Sequence, residues 1–419
     1  MTRASRRPSR DRAQTWRSWS GLTTAHPQQV RTPSGTEDVA EAVLAARAAG
    51  LRVKMVGSGH SFSDVAATDG LLLRPDDLSG LRSVDHDAMT VTVLAGTPLH
   101  VLNGLLDRLG LALHNMGDID RQTIAGAVAT GTHGTGGRVA SLSSQLAGLE
   151  LVLADGSVVH AHAGGDERER TLFEAARVGL GALGIASAVT LRVEPAFVLE
   201  ATEVPMGWAD VVDGFDELAD GNEHFEAYWF PHTDRMLTKR NNRVAGPAQP
   251  PGRLAAYVED ELLSNTAFGL LNRVGNRVPA AIAPINRVSV RTLSARTYSD
   301  VSHRVFTSRR RVRFREMEYA VPREAGPRVL REARALIERR GWRIGFPVEI
   351  RHTPADDVWL SPGHDRDSVY VAFHVNARTD HRGYFGEIER LLADHDGRPH
   401  WGKLHTRTGC SPTTISSGC

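Results

Sequence analysis

Residues Met55 to Asp64 read MVGSGHSFSD and end the apolar run LRVKMV. A run of this length reads as a short buried strand. A strand that breaks into Gly57-Ser58-Gly59 turns where backbone N–H groups can converge without interference from Cβ atoms, and Ser61 extends the same bed. Such a loop suits a pyrophosphate, and what it lacks narrows the fold. A dinucleotide fingerprint needs a third glycine and a helix opening there, and a phosphate loop ending in lysine needs that lysine; neither follows. G-H-S-F-S matches four of the five positions of the nucleophile elbow G-x-S-x-G, but Ser63 replaces the last glycine and no helix is expected after Ser61. A serine hydrolase using Ser61 is therefore the rival reading from another class. His60 stands inside the loop, and a lone loop histidine is more often a satisfied surface group than a chemical one.

The surrounding pattern alternates helices and strands, so the chain is α plus β. TEDVAEAVLAARAAG has a capping residue at Thr36, acids in its first turn, apolar residues at helical spacing and Gly50 as a stop. LLLRP and VTVLAG read as strands, and PLHVLNGLLDRLG as a helix opened by Pro98 and closed by Gly110. LELVLADGSVVHA is a hairpin with Asp155-Gly156 at its turn, and IASAVTLRVEP closes this half near Pro195. Beyond it, VAGPAQPPGRL is a loop, RVRFREMEYAV a strand and REAGPRVLREARALIERRG a helix ending at Gly341.

Composition excludes several classes. Fifty Lys and Arg against 49 Asp and Glu leave no global field for nucleic acid. The arginines from Arg309 to Arg315 alternate with Val312 and Phe314, as on a half-exposed strand. The only cysteines, Cys410 and Cys419, close the chain, so the body has no disulfide framework and suits a reducing cytoplasm. Residues 1–13 read as a disordered basic arm rather than a signal segment. LLSNTAFGLLNRVGNRVPAAIAPI is the nearest approach to a spanning segment, but its two arginines make it at most a surface-lying or core helix, which leaves peripheral membrane contact open. The histidines show no metal-ligand spacing, so no metal is expected.

A second glycine-rich segment, TIAGAVATGTHGTGG from Thr123 to Gly137, offers another bed of small residues of the kind a long dinucleotide needs. MVGSGHSFSD, NMGDIDRQTIAGAVATGTHGTG, LGALGIASAVTL, VEIR and HWGKLHT, taken in order, resemble the sugar-1,4-lactone oxidases of the vanillyl-alcohol-oxidase flavoprotein superfamily, a group that includes D-arabinono-1,4-lactone oxidase, L-gulonolactone oxidase or dehydrogenase and alditol oxidase. The resemblance runs from about Gln14 to Thr408. It implies an α+β fold in which a two-subdomain PCMH-type FAD-binding domain, residues 14–195, precedes an α+β substrate or cap domain with an antiparallel sheet, residues 196–408, whose HWGK segment returns to the flavin.

The resemblance also assigns roles. His60 would anchor FAD covalently, and a neutral imidazole is a competent nucleophile near pH 7. Gly57, Ser58, Gly59 and Ser61 would hold the pyrophosphate, with Phe62 beside them. Thr123, Gly126 and Ala129 would line the flavin, with His133 in the same segment as a structural residue, and Ile185 would lie on the adenosine side. Gly117 would leave a path for O₂. Asp118 stands where alditol oxidase has a serine touching substrate, which weighs against a polyol. Glu349 and Arg351, two apart on a strand and hence on one face, would sit over the flavin, Glu349 orienting the arginine that stabilises developing negative charge. His374 would face the same pocket as a contact or base. Lys403 would be the cation beside the reduced flavin.

The implied reaction is oxidation of a secondary hydroxyl at C2 of an aldonolactone, with O₂ or another electron acceptor as the partner. A flavin dehydrogenase or alditol oxidase of the same fold is the nearer alternative. The ending HTRTGCSPTTISSGC is polar and without helical periodicity, and residues 409–419 read as a truncated or frameshifted tail.

Overall fold

The computed structural model describes residues 15–136, 138–252, 268–308 and 312–407. The basic arm, Gly137, Arg309 to Arg311 of the arginine cluster, part of the apolar stretch and the cysteine-bearing tail lie outside them.

In the first half, Leu71–Leu73 is the middle strand of a three-stranded parallel sheet, flanked by Gln29–Arg31 and Val53–Met55. All three leucines are buried, as a covered parallel strand requires. The helix Thr36–Ala48 lays Val39, Ala42, Val43 and Ala46 on this sheet at helical spacing. Thr36 is not its cap. Gly35 takes that position, and the Thr36 hydroxyl donates instead to Glu150 at 2.6 Å. Val53–Met55 is half-buried rather than buried, because it is an edge strand that borders the cleft described below.

A five-stranded antiparallel sheet follows, ordered Val158–His162, Leu146–Val152, Ile185–Arg192, Thr90–Leu94, Leu81–Asp85. The hairpin turns at Asp155-Gly156, where Gly156 has φ +82° and the Asp155 carboxylate accepts from the Ser157 N–H. Leu99–Arg108 starts after Pro98 and stops before Gly110, at φ +69°. Part of the second glycine-rich segment is helical rather than loop. Residues Ile124–Ala129 make a short helix capped by the Thr123 hydroxyl, which accepts the Gly126 N–H at 3.3 Å.

From Val198 onward the chain builds one eight-stranded, wholly antiparallel sheet. Its order is Arg296–Val301, Val198–Gly207, Arg235–Val244, His224–Trp229, Val348–Thr353, Ser368–Asn376, Phe314–Pro322, Arg398–Pro399. Alternation divides its central strands between two faces. Phe225, Met317, Tyr319, Val348, Ile350, Val371 and Phe373 face a core that includes the helices Gly326–Arg340 and Arg382–Asp394. Their neighbours Glu226, Glu316, Glu318, Glu349, Arg351 and His374 share the other face, and all six are buried there. The strand read as half-exposed is so only as far as Arg315; from Glu316 to Val321 every residue is buried, because the strand lies inside the sheet.

Candidate active site

The Val53–Met55 strand ends in a loop of bends from Ser58 to Asp64 with no helix after it, so the strand-turn-helix frame of a hydrolase elbow is absent. Instead the loop faces the short Ile124–Ala129 helix. A Cβ on Gly57 would lie 2.6 Å from the Thr123 hydroxyl oxygen, and one on Gly126 would lie 3.0 Å from it. The absence of a side chain at Gly57 above all permits this approach. Between the two segments runs a cleft lined by Gly57, Ser58, Gly59, His60, Ser61, Thr123, Gly126, Ala129 and Ile185, enclosing about 1190 Å³ including its open mouth.

A second cavity adjoins it, and His60, Ser61, Gln122 and Thr130 line both. Its walls carry Phe62, Gly117, Asp118, His133, Glu349, Arg351 and Lys403. Thus every residue singled out from the sequence borders one cavity or the other except His374. That ring sits behind Glu316, its Nε2 3.4 Å from Glu316 Oε1 and its Nδ1 3.1 Å from the Pro347 carbonyl, with Phe314 and Phe346 packed on it. Gly117 also has a packing reason to be glycine, since a Cβ there would lie 3.0 Å from the His133 carbonyl oxygen.

The HWGK segment is tied to the glycine loop by two bonds, Phe62 N–H to the Gly402 carbonyl at 2.7 Å and the Ser63 hydroxyl to the Trp401 carbonyl at 3.1 Å. Two more bonds, His400 N–H to the Glu318 carbonyl and Leu404 N–H to the Glu316 carbonyl, pin it to the sheet. Trp19 stacks on His60 at 5.4 Å between ring centroids. Burial lowers the His60 pKa, and the charges of Lys403 and Arg121 lower it further, to about 4. His60 is therefore neutral at pH 7.

The floor of the second cavity is the polar face of the large sheet. Register places Glu226, Arg351 and Tyr370 in one cross-strand row, and Tyr228, Glu349, Ala372 and Glu318 in the next. Arg351 pairs with Glu349, with Glu226 at 3.1 Å and with Asp118 at 3.6 Å. Burial alone would lower its pKa, but these three carboxylates outweigh burial and raise it well above the usual value. Lys403 lies 2.5 Å from Glu316 Oε2. Burial opposes charge on both, yet attraction wins on both sides: Glu316 is lowered to about 2 and the Lys403 ammonium is raised.

A third group joins His133, Glu318 and His400, whose nitrogen and oxygen atoms lie within 4.8 Å of one another. His133 Nδ1 is 2.8 Å from the Gly134 carbonyl, which can only accept, and its Nε2 is 3.3 Å from Glu318 Oε1. His400 Nδ1 accepts the Gly402 N–H, leaving its Nε2 protonated, and burial lowers its pKa to about 3. Burial opposes charge on Glu318, but His133, Lys403 and His400 around it hold its carboxyl well below the usual value.

Sequence reasoning missed Glu316, Glu318, Glu226, His400 and Trp19. Glu316 and Glu318 had a signal, the two-residue spacing in FREMEY; Glu226 is placed only by strand pairing.

Comparison with known proteins agrees with this arrangement. The profile described as D-arabinono-1,4-lactone oxidase matches residues 189–411, and one described as FAD binding domain matches residues 27–162. The L-gulono-1,4-lactone dehydrogenase of Mycobacterium tuberculosis is 38% identical over 397 residues, covering 94% of this chain and 91% of that protein. The chain belongs to the D-arabinono-1,4-lactone oxidase family. Other relatives are the L-gulonolactone oxidase of Bos taurus, 32% identical over 94% of this chain and 90% of that one, and the D-arabinono-1,4-lactone oxidase of Eremothecium gossypii, 27% identical over 96% and 86%. Among solved structures, cholesterol oxidase from Brevibacterium sterolicum superposes with a TM-score of 0.76 at 17% identity, over 93% of this chain and 86% of that one, a likeness of fold. The family makes this chain an FAD-linked aldonolactone oxidoreductase whose fold joins a PCMH-type FAD-binding domain to an antiparallel-sheet cap. Its residues fit the cofactor: small residues line the long cleft, a neutral histidine marks its junction with the polar cavity, and buried cations stand beyond. Among the described residues, no helix is long and apolar enough to cross a membrane.

Proposed function

We propose that the protein oxidises the C2 hydroxyl of a sugar-1,4-lactone of the D-arabinono or L-gulono type, with residues 14–195 holding FAD and residues 196–408 forming the substrate cap. The observation that carries this reading is the junction at His60 of the glycine-lined cleft with a cavity floored by Arg351 and Lys403. FAD, when bound, supplies the hydride acceptor and passes the electrons on. The chain's residues do the rest. Gly57, Ser58, Gly59 and Ser61 line the cleft for the pyrophosphate, and Thr123, Gly126, Ala129 and Ile185 line its length. His60 is the attachment point, neutral and hence nucleophilic. Arg351, fixed by Glu226, Glu349 and Asp118, binds the substrate oxygen and favours the charge that develops there. The hydroxyl proton passes to a carboxylate beside Arg351 or to water. Lys403 holds positive charge where the reduced cofactor is anionic.

O₂ is the proposed acceptor, and a dehydrogenase using a cytochrome or quinone is the second reading. The relatives named L-gulonolactone oxidase and D-arabinono-1,4-lactone oxidase support O₂, whereas the M. tuberculosis relative named a dehydrogenase supports the second reading, and packing against His133 accounts for Gly117 without an oxygen path. A visible spectrum followed by acid precipitation tests attachment: yellow in the pellet, lost in His60→Ala, supports the anchor, and yellow in the supernatant removes it. Turnover of a panel of aldonolactones and polyols, followed by peroxide release and by dye reduction, tests substrate and acceptor; failure of every lactone with intact flavin would sink the substrate reading.

A further inference from the structure

We propose that Lys239 is a positioning residue for the oxidation: it shares the Glu226 carboxylate with Arg351, so that the guanidinium keeps positive charge for the substrate oxygen. The role rests on Arg351 binding that oxygen. Strand register places the lysine. Arg296 lies opposite Glu203, Glu203 opposite Lys239, Lys239 opposite Glu226, and Glu226 opposite Arg351. Opposite residues of an antiparallel pair share a face. One row therefore crosses five strands, from the Arg296–Val301 edge to the cavity, with charge alternating in sign at every step. Side-chain exposure falls along it, from 32% at Arg296 to 13% at Lys239 and 8% at Arg351.

At the outer end, Arg296 holds Glu203 by two bonds of 2.8 and 2.9 Å. At the inner end one carboxylate is divided between two cations: Lys239 Nζ lies 3.6 Å from Glu226 Oε1, and Arg351 Nε donates to Oε2 at 3.1 Å. Burial opposes charge on Glu226, but Arg351 and then Lys239 hold its carboxyl below the usual value. Burial opposes charge on Lys239 as well, and Glu226, foremost among its neighbours, raises its ammonium. A second route leads to the same arginine. Lys239 Nζ donates to the Val305 carbonyl at 2.8 Å, and further along that segment the Ser308 N–H donates to the Asp118 carbonyl at 3.0 Å. Asp118 is another of the arginine's carboxylates. Three carboxylates around one guanidinium would cancel most of its field. That field is needed when the hydroxyl gives its proton to a carboxylate or water, C2 passes its hydride to FAD, and the oxygen between them carries the excess charge. Lys239 returns positive charge to the row without lining the cavity itself.

The test mixes holoprotein with L-gulono- or D-arabinono-1,4-lactone in the absence of an acceptor and follows bleaching of the bound flavin. Lys239→Gln keeps an N–H donor but no charge. It should slow the limiting rate about tenfold, while the lactone concentration giving half that rate changes by less than about twofold. Lys239→Arg retains the charge and should stay within about threefold of wild type. A second readout needs no turnover. In urea, Lys239→Gln should raise the unfolding equilibrium constant about tenfold in the wild-type background, with no such rise in a Glu226→Gln background, as expected of groups in contact. Bleaching as fast in Lys239→Gln as in wild type overturns the proposal. So does a Lys239→Arg protein as slow as Lys239→Gln, because packing rather than charge would then be at stake, and so do equal urea effects in both backgrounds. If neither lactone bleaches the wild-type flavin, the substrate reading itself falls and takes this role with it.

Discussion

The Lys403 ammonium and the Glu316 carboxylate lie 2.5 Å apart on the face of the large sheet that floors the polar cavity, with side chains 19% and 6% exposed. Glu316→Gln leaves a buried ammonium without its charge partner, which costs about 3 kcal/mol. The sign of the pH dependence follows from the two shifts. Glu316 is depressed, so its contribution is present above the unfolded carboxylate value and lost as pH falls toward about 2. Lys403 is raised, so its contribution is present below the unfolded lysine value and lost as pH rises through the folded one. Urea denaturation of wild type and variant should therefore show the largest gap near neutrality and convergence in strong acid. An equal gap at every pH would mean that the pair contributes no charge-dependent stability.

Arg351 separates charge from geometry. Its guanidinium serves Glu226, Glu349 and Asp118 together, which a single ammonium cannot do. Arg351→Lys should keep the fold and the yellow colour yet lower kcat/KM about a hundredfold, whereas Arg351→Gln should also destabilise by about 3 kcal/mol, because three carboxylates lose their common cation. Steady-state kinetics beside thermal melts distinguish the two. Unchanged kinetics in Arg351→Lys would remove the arginine from the reacting centre.

Elements set by local chemistry were legible in the sequence. Pro98, Gly110 and Gly341 bound their helices, and Asp155-Gly156 turns its hairpin, because each acts on its own backbone. The G-S-G-H-S loop was legible for the same reason. Thr36 was misread because its hydroxyl has a stronger distant partner: Glu150 also receives Arg82 and Ser187, a network assembled from three separate strands and a helix start. The site's acids were hidden likewise. Glu226 reaches Arg351 only because the His224–Trp229 strand pairs with Val348–Thr353, and His374 left the cavity because Glu316, opposite it in register, stands in front. Spacing along one strand shows which residues share a face, but not which strand will lie next to it.

The glycine loop makes a steric prediction. Gly57→Ala places a methyl 2.6 Å from the Thr123 hydroxyl oxygen, so the side chain that caps the Ile124–Ala129 helix beside the cofactor cleft must shift. Purified Gly57→Ala should carry little flavin, read as the ratio of absorbance near 450 nm to 280 nm, roughly wavelengths of the flavin and the aromatic side chains. Adding Thr123→Ala removes the opposing atom and should restore part of that ratio, a coupling expected only of groups in contact. If the double variant retains no more flavin than the single one, contact with Thr123 is not the cause.

His400 supplies the last test, in the acid range. Burial lowers it to about 3, and lowers His60 and His352 to about 4, so all three are neutral in the folded protein at pH 7. The unfolded chain begins to bind protons at these positions near pH 6.5. With folded values depressed, stability is complete above that pH and falls as pH drops through the window toward 3 to 4. Each such histidine contributes a slope approaching about 1.4 kcal/mol per pH unit below 6.5. Between the histidine and carboxylate ranges, from roughly pH 6 to 5, these histidines should carry much of the slope. His400→Gln should flatten the urea-derived stability curve there, although it loses the acceptor for the Gly402 N–H and with it about 1 kcal/mol at neutral pH. A variant curve parallel to the wild type would show that His400 is protonated in the folded state and that its contact with Gly402 does not hold it neutral.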